Sequence, residues 1–85
     1  MVAITYYVAL PFVRSEDGEI VAAIPLECSS PMNAIHTARR LAANNVGAVA
    51  FSRSGDPAVG EFADAIVLQT FGDTVSLDEI VDALG

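Results

Sequence analysis

Between Ser52 and Glu61 the chain reads SRSGDPAVGE, and this run gathers the side chains best suited to hold a small anion. Arg53 offers a planar fork of donors that matches carboxylate or phosphate, and the hydroxyls of Ser52 and Ser54 add shorter reach. Asp56 accompanies them, and Gly55-Asp56-Pro57 reads as turn chemistry able to open backbone N–H groups toward a ligand. On this reading a loop follows a buried strand and brings Ser52, Arg53, Ser54 and Asp56 together. It is not a nucleotide-binding loop of the Walker type, since no Gly-Lys-Ser/Thr follows and no helix is expected to open there. A plain connection between two strands uses the same residue types, so a structural turn competes with the ligand site.

A second set is basic. His36 and Arg40 are i, i+4 neighbours on an expected helix, with Arg39 alongside, and could receive an acidic partner or a small anion. A solvated helix face that balances nearby carboxylates explains the same residues. Cys28 precedes the start of that helix, where the helix dipole can activate a thiol, and His36 follows two turns later. Yet Cys28 continues the apolar face of its strand and His36 lies opposite the apolar stripe of its helix. An inert, buried cysteine is therefore the expectation, with no catalytic residue assigned. One histidine and one cysteine cannot supply a tetrahedral metal site, and no cofactor motif is present.

Composition narrows the classes further. Eleven acids face four arginines and no lysine, for a net charge of −7 across 85 residues. Such a surface repels phosphate backbones and anionic bilayers, which argues against nucleic-acid and membrane partners. No apolar run reaches the roughly 18 residues that a spanning helix needs. The single cysteine cannot form an internal disulfide, so a soluble cytoplasmic protein is expected. The length fits one domain over residues 1–85.

The elements that must position these residues follow from periodicity. Ile4, Tyr6, Val8, Leu10 and Phe12 alternate with Thr5, Tyr7, Ala9, Pro11 and Val13, as a half-buried strand requires. A second arm repeats the pattern with Ile20, Ala22, Ile24, Leu26 and Cys28. A three-residue turn, Glu16-Asp17-Gly18, pairs Phe12 with Ala22, Leu10 with Ile24 and Val8 with Leu26, which keeps the greasier side chains on one face. Pro11 and Pro25 lack a backbone donor, so a bulge or bend is expected near one of them. Ser30 caps a helix opened by Pro31 and stopped near Asn44–Asn45. Val46–Phe51 reads as an interior strand covered on both faces, and Ala65–Phe71 as a fourth strand. Ser76 and Glu79 form a capping box ahead of Leu77, Ile80, Val81 and Leu84, the spacing of a closing amphipathic helix.

The order ββαββα predicts an α+β two-layer sandwich, with a four-stranded, mainly antiparallel sheet and helices on one face. If Leu10, Phe12, Ile20, Ile24 and Leu26 meet the helices, the opposite face carries Tyr7, Ala9, Val13, Val21 and Ala23. With 53% of residues apolar, a chain this short cannot hide everything inside itself, so that face is expected to be buried by a second copy. The stretch GAVAFSRSGDPAVGEFADAIVLQTFGD, from Gly47 to Asp73, resembles a block found in short, uncharacterised bacterial proteins, a similarity covering Val46–Asp73. That resemblance implies a small bacterial α+β domain of unknown function and transfers no catalytic residue. The sequence thus points to a non-enzymatic homodimeric interaction module, open to a further protein partner. The alternative is a small-anion or small-ligand binder, or a weak enzyme, using Arg53 and the Ser52–Asp56 loop.

Overall fold

The computed structural model describes residues 4–56 and 58–74. Two long strands form its spine: β1 (Ile4–Arg14) and β4 (Gly47–Asp56), paired antiparallel from Ile4↔Gly55 to Phe12↔Gly47. Each carries a broken second arm on its outer side. Beside β1 lie β2 (Ile20–Ala22) and β3 (Leu26–Cys28), and beside β4 lie β5 (Glu61–Phe62) and β6 (Ile66–Gly72). The helix α1 (Pro31–Asn44) connects the two halves.

The described residues therefore form a curled six-stranded antiparallel sheet with one helix, which overturns the four-stranded ββαββα sandwich. The expected closing helix over Ser76–Leu84 lies outside the described residues. The strand count rises because both outer arms are interrupted, and the sequence carries the cause of the first interruption. The carbonyl of Pro11 accepts from the Ala23 amide at 2.9 Å, so the side of Pro11 that lacks an N–H also faces the second arm. There the ladder stops, and Pro25 withholds a second donor just beyond.

Pairing resumes with one extra residue on the outer arm. From Phe12↔Ala22 to Ala9↔Leu26, β1 advances three residues while its partner advances four. A one-residue slip exchanges the faces of everything beyond it. Ile20 packs on one side of the sheet and Cys28 on the other, while Ile24 is 81% exposed and Leu26 is exposed as well. The Phe12–Ala22 pair stands as the alternation required, but Leu10–Ile24 and Val8–Leu26 do not form. Val8 instead faces Glu27.

The turn before the slip closes on Glu16-Asp17-Gly18. The Ser15 amide donates to the Glu19 carbonyl at 2.8 Å and the Gly18 amide to the Ser15 carbonyl at 2.9 Å, with Gly18 at φ +84°. In α1, the Ser30 hydroxyl accepts from the Asn33 amide at 3.1 Å, and the Asn45 side chain donates to the Leu41 carbonyl at 2.8 Å. Both ends of the helix are thus satisfied by short polar side chains.

The helix covers the face opposite to the one expected. Ala34 and Ala38 meet Ala9, Ala48 and Ala50, all five without measurable exposure, and Tyr7, Cys28, Ile35, Leu41, Leu68 and Phe71 close around them. Leu10, Phe12, Val49 and Phe51 form a second core on the far side, joined by Val8, Ile20, Val46 and Ala65. Each is 0–2% exposed, and burying each contributes about 1.5–3 kcal/mol. The run Gly47–Phe51 is accordingly an interior strand buried on both faces.

Gly47 sits where β4 meets the end of β6. A Cβ there would collide with the Asp73 carbonyl oxygen and approach the Phe71 carbonyl oxygen to 2.7 Å, whereas a Cβ on Gly18 meets open space. Gly18→Ala therefore costs only the left-handed backbone strain, about 1–2 kcal/mol. Gly47→Ala must also move backbone, and its loss in urea unfolding should exceed that of Gly18→Ala. Equal losses would mean that β4 and the end of β6 are not held this closely.

Candidate functional site

The anion-binding group expected around Arg53 does not converge. Ser52–Asp56 is not a loop: it extends β4, pairing with β1 on one side and with β5 through Gly55↔Phe62 and Asp56↔Glu61 on the other. The turn falls later, where the Asp56 carbonyl accepts from Gly60 at 3.0 Å and its carboxylate accepts from the Ala58 amide at 2.9 Å. Strand alternation then sends Ser52, Ser54 and Asp56 to one face and Arg53 to the other.

Each of these side chains already has local work. Ser52 is 9% exposed beside the alanine core. The Ser54 hydroxyl shares a 2.8 Å hydrogen bond with Thr5, its cross-strand partner. The Arg53 guanidinium lies 4.9 Å from the centre of the Phe62 ring, which also sits 6.2 Å from Tyr6. That ring occupies the space a side chain at Gly55 would need. The Arg53 Nε is shielded from water and has no hydrogen-bond partner among the described residues. Arg53 thus acts here as a flat cover on an aromatic ring, which favours a guanidinium without requiring an anion.

The face expected to receive a second copy is divided. Ala9 is buried under α1, and Tyr7 is half-buried against the same cluster. Val13 and Val21 remain paired across β1 and β2, with Val21 39% exposed, and Ala23 follows at the start of the break. The inference from alternation assigned α1 to the wrong side because it counted bulk. Large side chains were given to the helix, whereas the helix selects the small ones.

The basic residues do come together. Asn33, His36, Arg39 and Arg40 line a cleft of about 490 Å³ along α1. Cys28 is half-buried and contacts the Leu26 carbonyl at 3.5 Å, on the helix-covered face. Among the described residues no group of three His, Cys, Asp or Glu side chains could hold a metal ion. Nor is any described helix long and apolar enough to cross a membrane.

What sequence reasoning missed is an edge. Strand β6 (IVLQTFG) is seven residues long, without proline or charge, and among the described residues it pairs only with β4. Ile66 is 64% and Val67 43% exposed, with Phe62 and Val59 exposed nearby. The opposite edge is different, because β2 and β3 are three residues each and separated around Pro25. The signal was present as an uncharged β-prone run at the end of the sheet, but its position required the strand order. Compared with family models, curated proteins and solved structures, the chain matches none of them.

If Arg53 serves only to cover Phe62, Arg53→Met keeps the packing and removes a shielded donor. Its unfolding free energy should stay within about 1 kcal/mol of the parent, since removing a polar group that lacks a partner is close to neutral. A loss of more than about 2 kcal/mol would restore a polar role to Arg53.

Proposed function

We propose that the protein is a non-enzymatic self-association module that pairs with a second copy through the outer edge of β6. The observation that carries this reading is the charge-free seven-residue strand β6, which among the described residues pairs only with β4. An exposed strand edge presents unpaired N–H and C=O groups, and chains that stay monomeric usually blunt it with lysine, proline or a covering element. Here the chain has no lysine at all and its prolines lie elsewhere.

An antiparallel pair of β6 strands is self-complementary, so two copies related by a two-fold axis satisfy one another with the same residues. The exposed side chains of Ile66 and Val67 would be covered in the same event. Sheet faces offer less, since the centres of both are already buried by the chain itself. Asp64 and Asp73 flank β6 and would approach their counterparts at the two ends of the seam. With a net charge of −7 on each copy, added salt should therefore tighten the pair. A cytoplasmic setting belongs to this reading, with Cys28 remaining a free thiol.

Light scattering coupled to size exclusion tests it. The parent chain should have twice the 8.9 kDa chain mass at micromolar concentration. Val67→Lys with Thr70→Lys, both at exposed positions, should weaken pairing by at least about tenfold and leave the circular dichroism unchanged. A parent chain of single mass throughout, or a lysine variant that dimerises equally well, contradicts the proposal.

A further inference from the structure

The charge of this chain is unevenly placed. Its only histidine and two of its four arginines fall within His36–Arg40, on one exposed side of α1. Among the described residues, no carboxylate lies within ion-pair distance of Arg39 or Arg40. The helix also has no acidic residue in its first turn and no basic residue in its last, so the cluster does not serve the helix dipole.

Local contacts restrain these cations. Asn33 Nδ2 donates to the Ser29 hydroxyl at 2.9 Å, and the Thr37 hydroxyl donates to Asn33 Oδ1 at 3.3 Å. Arg40 Nη2 then donates to the Thr37 hydroxyl at 3.4 Å. Thr37 is only 8% exposed, so the Thr37 end of this relay is held against the protein, while its Asn33–Ser29 link is exposed. Arg39 is restrained separately, its guanidinium 5.7 Å from the centre of the Phe71 ring on β6. Limiting the freedom of long side chains before binding lowers the entropy lost when a ligand arrives.

We infer that the α1 cleft is a binding site for a small phosphate-type dianion, held by Arg39, Arg40 and His36. His36 stands three and four residues before Arg39 and Arg40, so its Cβ lies about 5–6 Å from each of theirs, a span that suits one compact group of oxygens. Two guanidinium forks supply parallel donors for such a group, and the imidazole can add a third direction of approach. The depression, at about 490 Å³, is shallow and open to solvent, and it is larger than a bare phosphate requires. It therefore leaves room for an organic substituent, as in a phosphomonoester. Asn33 adds a polar side chain to its lining.

This site is independent of the β6 pairing in its test. The full chain is titrated with inorganic phosphate and with glycerol phosphate, using sodium chloride of matched ionic strength and malonate as controls. Amide nitrogen–proton spectra should show saturable shifts centred on Asn33–Arg40, and the thermal midpoint should rise with phosphate concentration beyond the chloride control. Glycerol phosphate should bind at least as well as phosphate. Arg39→Gln with Arg40→Gln should lose at least about tenfold in affinity, and His36→Gln provides a separate variant should the double substitution disturb folding. Equal effects of chloride and phosphate, binding of malonate as tight as phosphate, or undiminished binding by the variants would each overturn the inference. Shifts centred on Arg53 would do the same.

Discussion

Everything else in this fold hangs on the close approach of α1 to the β1–β4 pair. Ala34 and Ala38 on the helix meet Ala9, Ala48 and Ala50 on the sheet, and none of the five retains exposed surface. Side chains this small contribute little area each, but they let the helix settle near the backbone of both spine strands. That placement commits the bulky residues of β1 and β4 to the other face, where Leu10, Phe12, Val49 and Phe51 form a core of their own. A domain of this size normally has one core. This chain buries both sides of its central strands, which accounts for much of its apolar excess without a partner on either sheet face.

Much of the local structure was legible because its causes are local. The three-residue turn ending at Gly18, the Ser30 cap, the stop at Asn45 and the doubly buried strand after Gly47 each depend on a few adjacent residues. What was not legible depends on pairing. Alternation through Ile20–Cys28 looks continuous, but the missing donor of Pro11 is felt on the neighbouring arm, and the slip it accompanies exchanges faces beyond Ala23. Likewise SRSGD has the composition of a loop. It remains a strand because β1 supplies partners for Ser52 through Gly55 and β5 continues on the other side. The site proposed for that loop dissolved with it, since a strand cannot direct Ser52, Arg53 and Ser54 to one point.

The two surfaces left for function lie close together but use different physics. The edge of β6 offers directional backbone hydrogen bonds and exposed aliphatic side chains, while the α1 cleft offers fixed positive charge on an acidic protein. Phe71 touches both, as a residue of β6 that packs toward the alanine core and carries the Arg39 guanidinium over its ring.

The most direct test of this account is hydrogen exchange along the sheet as protein concentration is raised. Outward-facing amides of β6 between Ile66 and Phe71 should slow as copies pair, while those of β2 and β3 stay unchanged. Exchange in β6 that is independent of concentration, or slowing that appears along β2 and β3 instead, would contradict it.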